Sequence, residues 1–119
     1  MRVAHVPLAL FAASLLAVPS AAQDAPRLSL EQQTSVRCSA AFAIVAAIQS
    51  QGGAKEYPPL ATRGREFFVR SAARLIDETG IGRDEISALM QAEAEALSDP
   101  ERLEAALPAC LLLLDASGL

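Results

Sequence analysis

The sequence predicts an all-α protein: a compact four-helix domain with one disulfide joining the first helix to the last, preceded by a cleaved signal peptide. Three observations lead there. Beyond position 28, apolar residues recur at intervals of three and four, the spacing of one face of a 3.6-residue helix. No useful stretch alternates apolar and polar residues, and β-branched residues never cluster, so strands are not expected. Start and stop residues punctuate the chain at Ser29, Gly52-Gly53, Gly80 and Asp99-Pro100.

Residues 1–22 read as an export signal. Arg2 supplies a positive start, an apolar run extends from Val6 to Val18, and the small residues Ser20, Ala21 and Ala22 precede Gln23-Asp24. That is the order of a secretory signal, and the run falls short of the ~20 apolar residues a membrane span needs. Cleavage is expected after Ala22. It leaves Gln23 as the N-terminus, residues 23–28 as a flexible tail and residues 29–119 as a single helical domain, periplasmic or secreted, with no membrane span.

The first helix starts at Ser29, where Gln32 completes a capping-box pattern. Its apolar positions are Leu30, Cys38, Ala41, Phe42, Val45 and Ile48, and Gly52-Gly53 stops it. Pro58 and Pro59 hold a connector extended before a second helix from about Leu60 to Thr79. That helix carries Leu60, Gly64, Phe67, Phe68, Ala72, Leu75 and Ile76 as one stripe, and Gly80 is placed for a left-handed cap. Gly64 costs about 1 kcal/mol relative to Ala inside a helix. It is either a tolerated weakness or a place where a neighbouring helix comes close. Phe67 and Phe68, two of the few aromatics, are expected to supply the central packing.

Ile81 and Ile86 fit a hydrophobic staple around an N-cap at Gly82, with Glu85 in the third helical position. The third helix turns Ile86, Leu89, Met90 and Leu97 inward. Asp99 then caps a fourth helix that begins at Pro100 and buries Leu103, Leu107, Cys110, Leu111 and Leu114. Pro108 interrupts that pattern and is expected to kink or split the helix, since it removes the hydrogen bond to the Glu104 carbonyl.

Export changes what the cysteines mean. In an oxidising compartment Cys38 and Cys110, each on an apolar stripe, are expected to pair. A redox-active pair is the alternative, but catalytic dithiols usually sit close together as Cys-x-x-Cys. Metal binding is not expected, because two thiols without a histidine make an incomplete ligand set. His5, the single histidine, falls within the export signal. Without it the mature chain has no imidazole for general-base work, and no phosphate-binding loop, dinucleotide fingerprint or haem-attachment motif is present. Neither catalysis nor a cofactor is predicted.

The formal charge of −4 becomes about −5 once Arg2 is removed, which argues against nucleic-acid binding. Charge is uneven, however. Arg63, Arg65, Arg70 and Arg74 gather on the second helix, and the segment from Asp77 to Glu104 is acidic. Ion pairs Glu66–Arg70 and Arg74–Glu78 at i,i+4 spacing explain part of this as a solvated face. The functional alternative is a basic strip of Arg63, Arg70 and Arg74 that docks an anionic ligand or an acidic protein partner.

The stretch Gly64-Arg65-Glu66-Phe67-Phe68-Val69 through Asp77-Glu78-Thr79-Gly80, flanked by Cys38 and Cys110, resembles small exported two-cysteine helical proteins of Gram-negative bacteria. That resemblance implies the helical fold and the bridge but no activity. In size, helicity and single disulfide the chain is also similar to periplasmic acid-stress chaperones of the HdeA type. The function expected from these readings is a non-enzymatic periplasmic module presenting a helix face to a protein partner. Its rivals are a small-molecule or lipid carrier, with a cavity between the first and fourth helices, and an acid-stress chaperone driven by carboxylates. A filled core with exposed apolar surface favours the interaction module, and an enclosed pocket of several hundred Å³ favours the carrier.

Overall fold

The computed structural model describes residues 27–119. The expected export signal, its expected cleavage point and the start of the expected tail lie outside the described residues. Helix α1 runs Leu30–Ser50, α2 Ala61–Thr79, α3 Arg83–Ala96 and α4 Pro100–Ala116, with no strand among the described residues.

Local chemistry accounts for most of the helix ends. Ser29 Oγ accepts from the Gln32 backbone N–H at 3.1 Å, and Gln32 Oε1 accepts from the Ser29 N–H at 2.9 Å, a complete capping box. Gly80 closes α2 at φ +73°, its N–H donating to the Ile76 carbonyl at 2.8 Å. Glycine enters that left-handed region without steric cost. At α3, Glu85 Oε2 accepts from the Gly82 N–H at 3.0 Å, and Ile81 and Ile86 share one cluster, so both halves of the staple are in place. Asp99 caps α4 through the Glu101 N–H, with Pro100 as the first helical residue.

The start of α2 has a different origin. Its N-cap Leu60 makes no side-chain cap. Instead Gln49, near the end of α1, reaches across the connector: its Oε1 accepts from the Leu60 N–H at 3.1 Å. Its Nε2 lies within hydrogen-bond distance of the carbonyls of Ala54, Tyr57 and Pro58. One amide thus organises a loop in which Ala54 sits at φ +50°.

Helix α1 is the centre of the fold and packs against α2, α3 and α4, while α2 also meets α4. The run from Cys38 to Phe42 is buried at every position, as expected of a helix covered on more than one face. The main core joins Cys38, Phe42 and Val45 of α1 to Leu60, Phe67, Leu97 and the α4 residues Leu107, Cys110 and Leu114. Phe42 and Phe67 meet edge to face, ring centroids 5.3 Å apart. Gly64 sits against them. A Cβ built there would lie 2.8 Å from the Phe42 Cβ, so Gly64 marks a close helix approach. The Cys38–Cys110 disulfide ties α1 to α4, with the Cα atoms 5.1 Å apart and the two residues separated by 72 positions in the sequence.

Some expectations are corrected. Leu30, Ile48 and Ile76 are exposed rather than core-facing. Each lies in the first or last turn of its helix, where neighbouring helices no longer cover the stripe. Phe67 joins the main core, but its central aromatic is Phe42; Phe68 is half-buried in a second cluster with Val36, Leu75, Ile81 and Ile86. Pro108 does not split α4. It and Glu104 face solvent, where water can satisfy the carbonyl that loses its intrahelical partner.

Candidate functional site

The candidate surface is built around α2. Arg63 contacts the C-terminal end of α4, and Arg70 and Arg74 border a cleft that the same end lines, but the three do not form one free basic surface. Arg63 is held by its own fold: Nη2 pairs with Asp115 Oδ1 at 2.9 Å, and Nε and Nη2 donate to the Leu119 carbonyl at 2.9 and 2.6 Å. Arg74 pairs with Glu78 at 3.2 Å and with Glu31 of α1 at 3.5 Å. Arg70 makes no ion pair among the described residues, and the expected Glu66–Arg70 bridge is not formed there.

Arg70 and Arg74 border an open cleft of about 350 Å³ between α1, α2 and α4. Its apolar lining comes from Phe67, Leu113, Ala116 and Leu119. Ser35, Ser71 and Ser117 also line it, together with Glu31, the α1 partner of Arg74. Beside it runs the outer face of α4, where Ala105, Pro108, Ala109, Leu112 and Ala116 are all exposed, Leu112 to 72%. Ala116 belongs to both surfaces and makes them continuous. This outer stripe repeats at three and four residues, out of phase with the buried stripe Leu103, Leu107, Cys110 and Leu114. Its signal was present in the sequence but is masked there, because the second half of α4 is apolar nearly all round.

On the other side of α2, a second open cleft of about 350 Å³ is bounded by α1, α2 and α3. Phe42, Leu60, Phe68 and Met90 line it, with Arg65 as its one charged residue. A smaller pocket of about 50 Å³ adjoins it over Val36, Leu75 and Ile86, with room for a few waters. Both clefts lie along α2, and the first of them also touches α1 and α4, the pair between which a carrier cavity was expected. The small residues Ala43, Ala46, Ala61 and Gly64 leave the second unfilled.

Between the ends of α1 and α2 lies a polar latch. Gln32 Nε2 donates to Glu78 Oε2 at 2.8 Å, and Arg74 donates to the other oxygen of the same carboxylate. The Gln32 hydrogen bond, and then Arg74, hold the Glu78 carboxyl below its ordinary range.

Both cysteines are in the bridge, and no group of metal-ligating side chains is assembled among the described residues. Ser39, the one buried polar side chain among them, donates its hydroxyl to the Ser35 carbonyl at 2.8 Å. None of the described helices is long and apolar enough to cross a membrane. Comparison of the chain with family models, with curated proteins and with solved structures finds no match.

Proposed function

We propose that this is an exported, non-enzymatic interaction module that holds a protein partner against the α4 side of α2. The observation that carries this reading is Arg70, a guanidinium with no ion-pair partner among the described residues, beside an apolar-lined cleft that continues onto the exposed face of α4. A partner that fits has a carboxylate for Arg70 and apolar side chains for the cleft and Leu112. A bidentate arginine–carboxylate contact sets orientation, and burial of the Leu112 stripe supplies area. The disulfide supports placement in an oxidising compartment.

Affinity capture from a periplasmic extract with the oxidised protein, followed by mass spectrometry, tests this. A partner retained by wild type and lost with both Arg70→Glu and Leu112→Glu, at unchanged melting temperature, is the expected result. Identical capture by wild type and both variants removes the proposal. Size-exclusion chromatography with light scattering on the same proteins tells whether the partner is a second copy of the chain. The carrier reading also has an observation in its favour, the cleft on the α3 side.

A further inference from the structure

We infer that the cleft between α1, α2 and α3 binds a single-chain amphiphile with an anionic head. This site is separate from the Arg70 surface and does not depend on that surface having a partner. Its shape comes from residue size. Ala43 and Ala46 on α1 face Ala61 and Gly64 on α2, and none of them reaches across the gap. At Gly64 α2 also approaches α1 closely, since a Cβ there would meet Phe42 at 2.8 Å. The trough is consequently narrow, with Phe42, Leu60, Phe68 and Met90 as its apolar lining. Its volume of about 350 Å³ lies at the lower end of small-ligand sites, roughly 300–1,000 Å³, which suits one alkyl chain better than two.

Charge selects the head. Arg65 is the one ionisable residue lining the trough, and it makes no ion pair among the described residues. No carboxylate competes for it locally: none lines the trough, and the first turn of α2 contains no acidic residue. This is an unusual opening on an acidic chain, whose formal charge is −4. A guanidinium pairs equally well with a carboxylate or a phosphate, so a fatty acid and a lysophospholipid share the required chemistry. Ser39, which borders the trough and donates its proton to Ser35, retains lone pairs that can accept a hydrogen bond.

The test is calorimetric titration of the oxidised protein with laurate and with 1-lauroyl lysophosphatidate, each below its micellar concentration. Dodecyltrimethylammonium serves as the cationic control. Saturable 1:1 binding of at least one anion, and weaker binding of the cation, is expected. Arg65→Gln should weaken the anion about tenfold or more, the size of effect that loss of a charge-assisted hydrogen bond produces. Ala43→Leu, which fills the trough from an exposed helical position, should weaken it too. Ala61→Leu, on the opposite wall, repeats that test if the first variant melts early. Preference for laurate identifies a carboxylate head, and preference for the lysophosphatidate a phosphate head. Absence of saturable anion binding overturns the inference, as does equal affinity for the cation or wild-type affinity in both Arg65→Gln and the filling variants.

Discussion

Around the disulfide, Phe42, Leu60 and Leu114 are completely shielded from solvent. At the α2–α3 corner, Val36, Leu75, Ile81 and Ile86 each keep between 4% and 7% of their surface. The two regions also assemble from different distances along the chain. The disulfide end joins α1, the start of α2 and α4, and its bridge spans 72 positions. The corner is made largely from one short segment, Leu75 to Ile86, folded back on itself through Gly80 and the Gly82 cap. Bringing distant segments together costs chain entropy that grows with loop length, whereas a turn of a few residues costs little. The fully shielded side chains, the aromatic pair and the covalent bond are all found where that cost is highest.

This contrast predicts an order of mutational effects. Phe42→Ala and Phe67→Ala should each lower stability by about 3–5 kcal/mol, the cost of truncating a well-buried phenylalanine. Phe68→Ala, in the half-buried corner, should cost about 1–2 kcal/mol, since part of its surface is already in contact with water. Chemical denaturation of the three variants measures this directly. Equal losses at Phe67 and Phe68 would erase the distinction between the regions.

The bridge comes next. Replacing both cysteines by serine should cost about 4 kcal/mol on the chain-entropy model, or less where the unfolded chain retains structure. Denaturant midpoints provide the comparison, and thiol labelling of the unfolded, non-reduced protein should find no free cysteine. A double-serine variant as stable as wild type would show that packing alone holds the disulfide end together.

Two glycines sharpen the comparison further. Gly64→Ala gains about 1 kcal/mol in helix propensity but pushes a methyl group into Phe42, and overpacking costs about 1–3 kcal/mol. A net loss is expected. At the corner, Gly80→Ala meets no neighbour within 4 Å, and its cost is the left-handed backbone alone, about 1 kcal/mol. A stabilised Gly64→Ala variant would mean that α2 can move away from α1 freely.

The smallest effect belongs to the latch joining α1 to α2. The Glu78 carboxyl is held below its ordinary range by Gln32 and Arg74. With the folded-state pKa depressed, its stabilisation is fully present above the unfolded-state value and disappears as pH falls through the folded value. Glu78→Gln should therefore melt slightly below wild type at neutral pH, and that gap should close on acidification below the carboxylate range. A gap that stays constant with pH would remove the carboxylate from the account. The groups facing it, Arg74, Gln32 and, through Arg74, Glu31, are all at the surface, so high salt should shrink the gap as well.

What could be read from the sequence follows the same division by distance. The Ser29–Gln32 capping box, the Gly80 cap, the Ile81–Ile86 staple and the Asp99-Pro100 start are interactions within a few residues, so the residue types that make them stand side by side in the chain. The pairing of Cys38 with Cys110 was also legible, because the chain has only these two cysteines and each falls on an apolar stripe. Tertiary structure decided the rest. Gln49 is an ordinary polar residue near a helix end until the connector folds around its amide and α2 starts from it. Arg63, Arg70 and Arg74 share a helix face, but only the arrival of Asp115 and Leu119 occupies the first, and only Glu31 and Glu78 occupy the last. Periodicity marks which positions are apolar, whereas coverage by a neighbouring helix determines which of them are buried. Leu30, Ile48 and Ile76 are therefore exposed on stripes whose middles are core, and the cleft between α1, α2 and α3 lies where Ala43, Ala46 and Ala61 are too small to fill it.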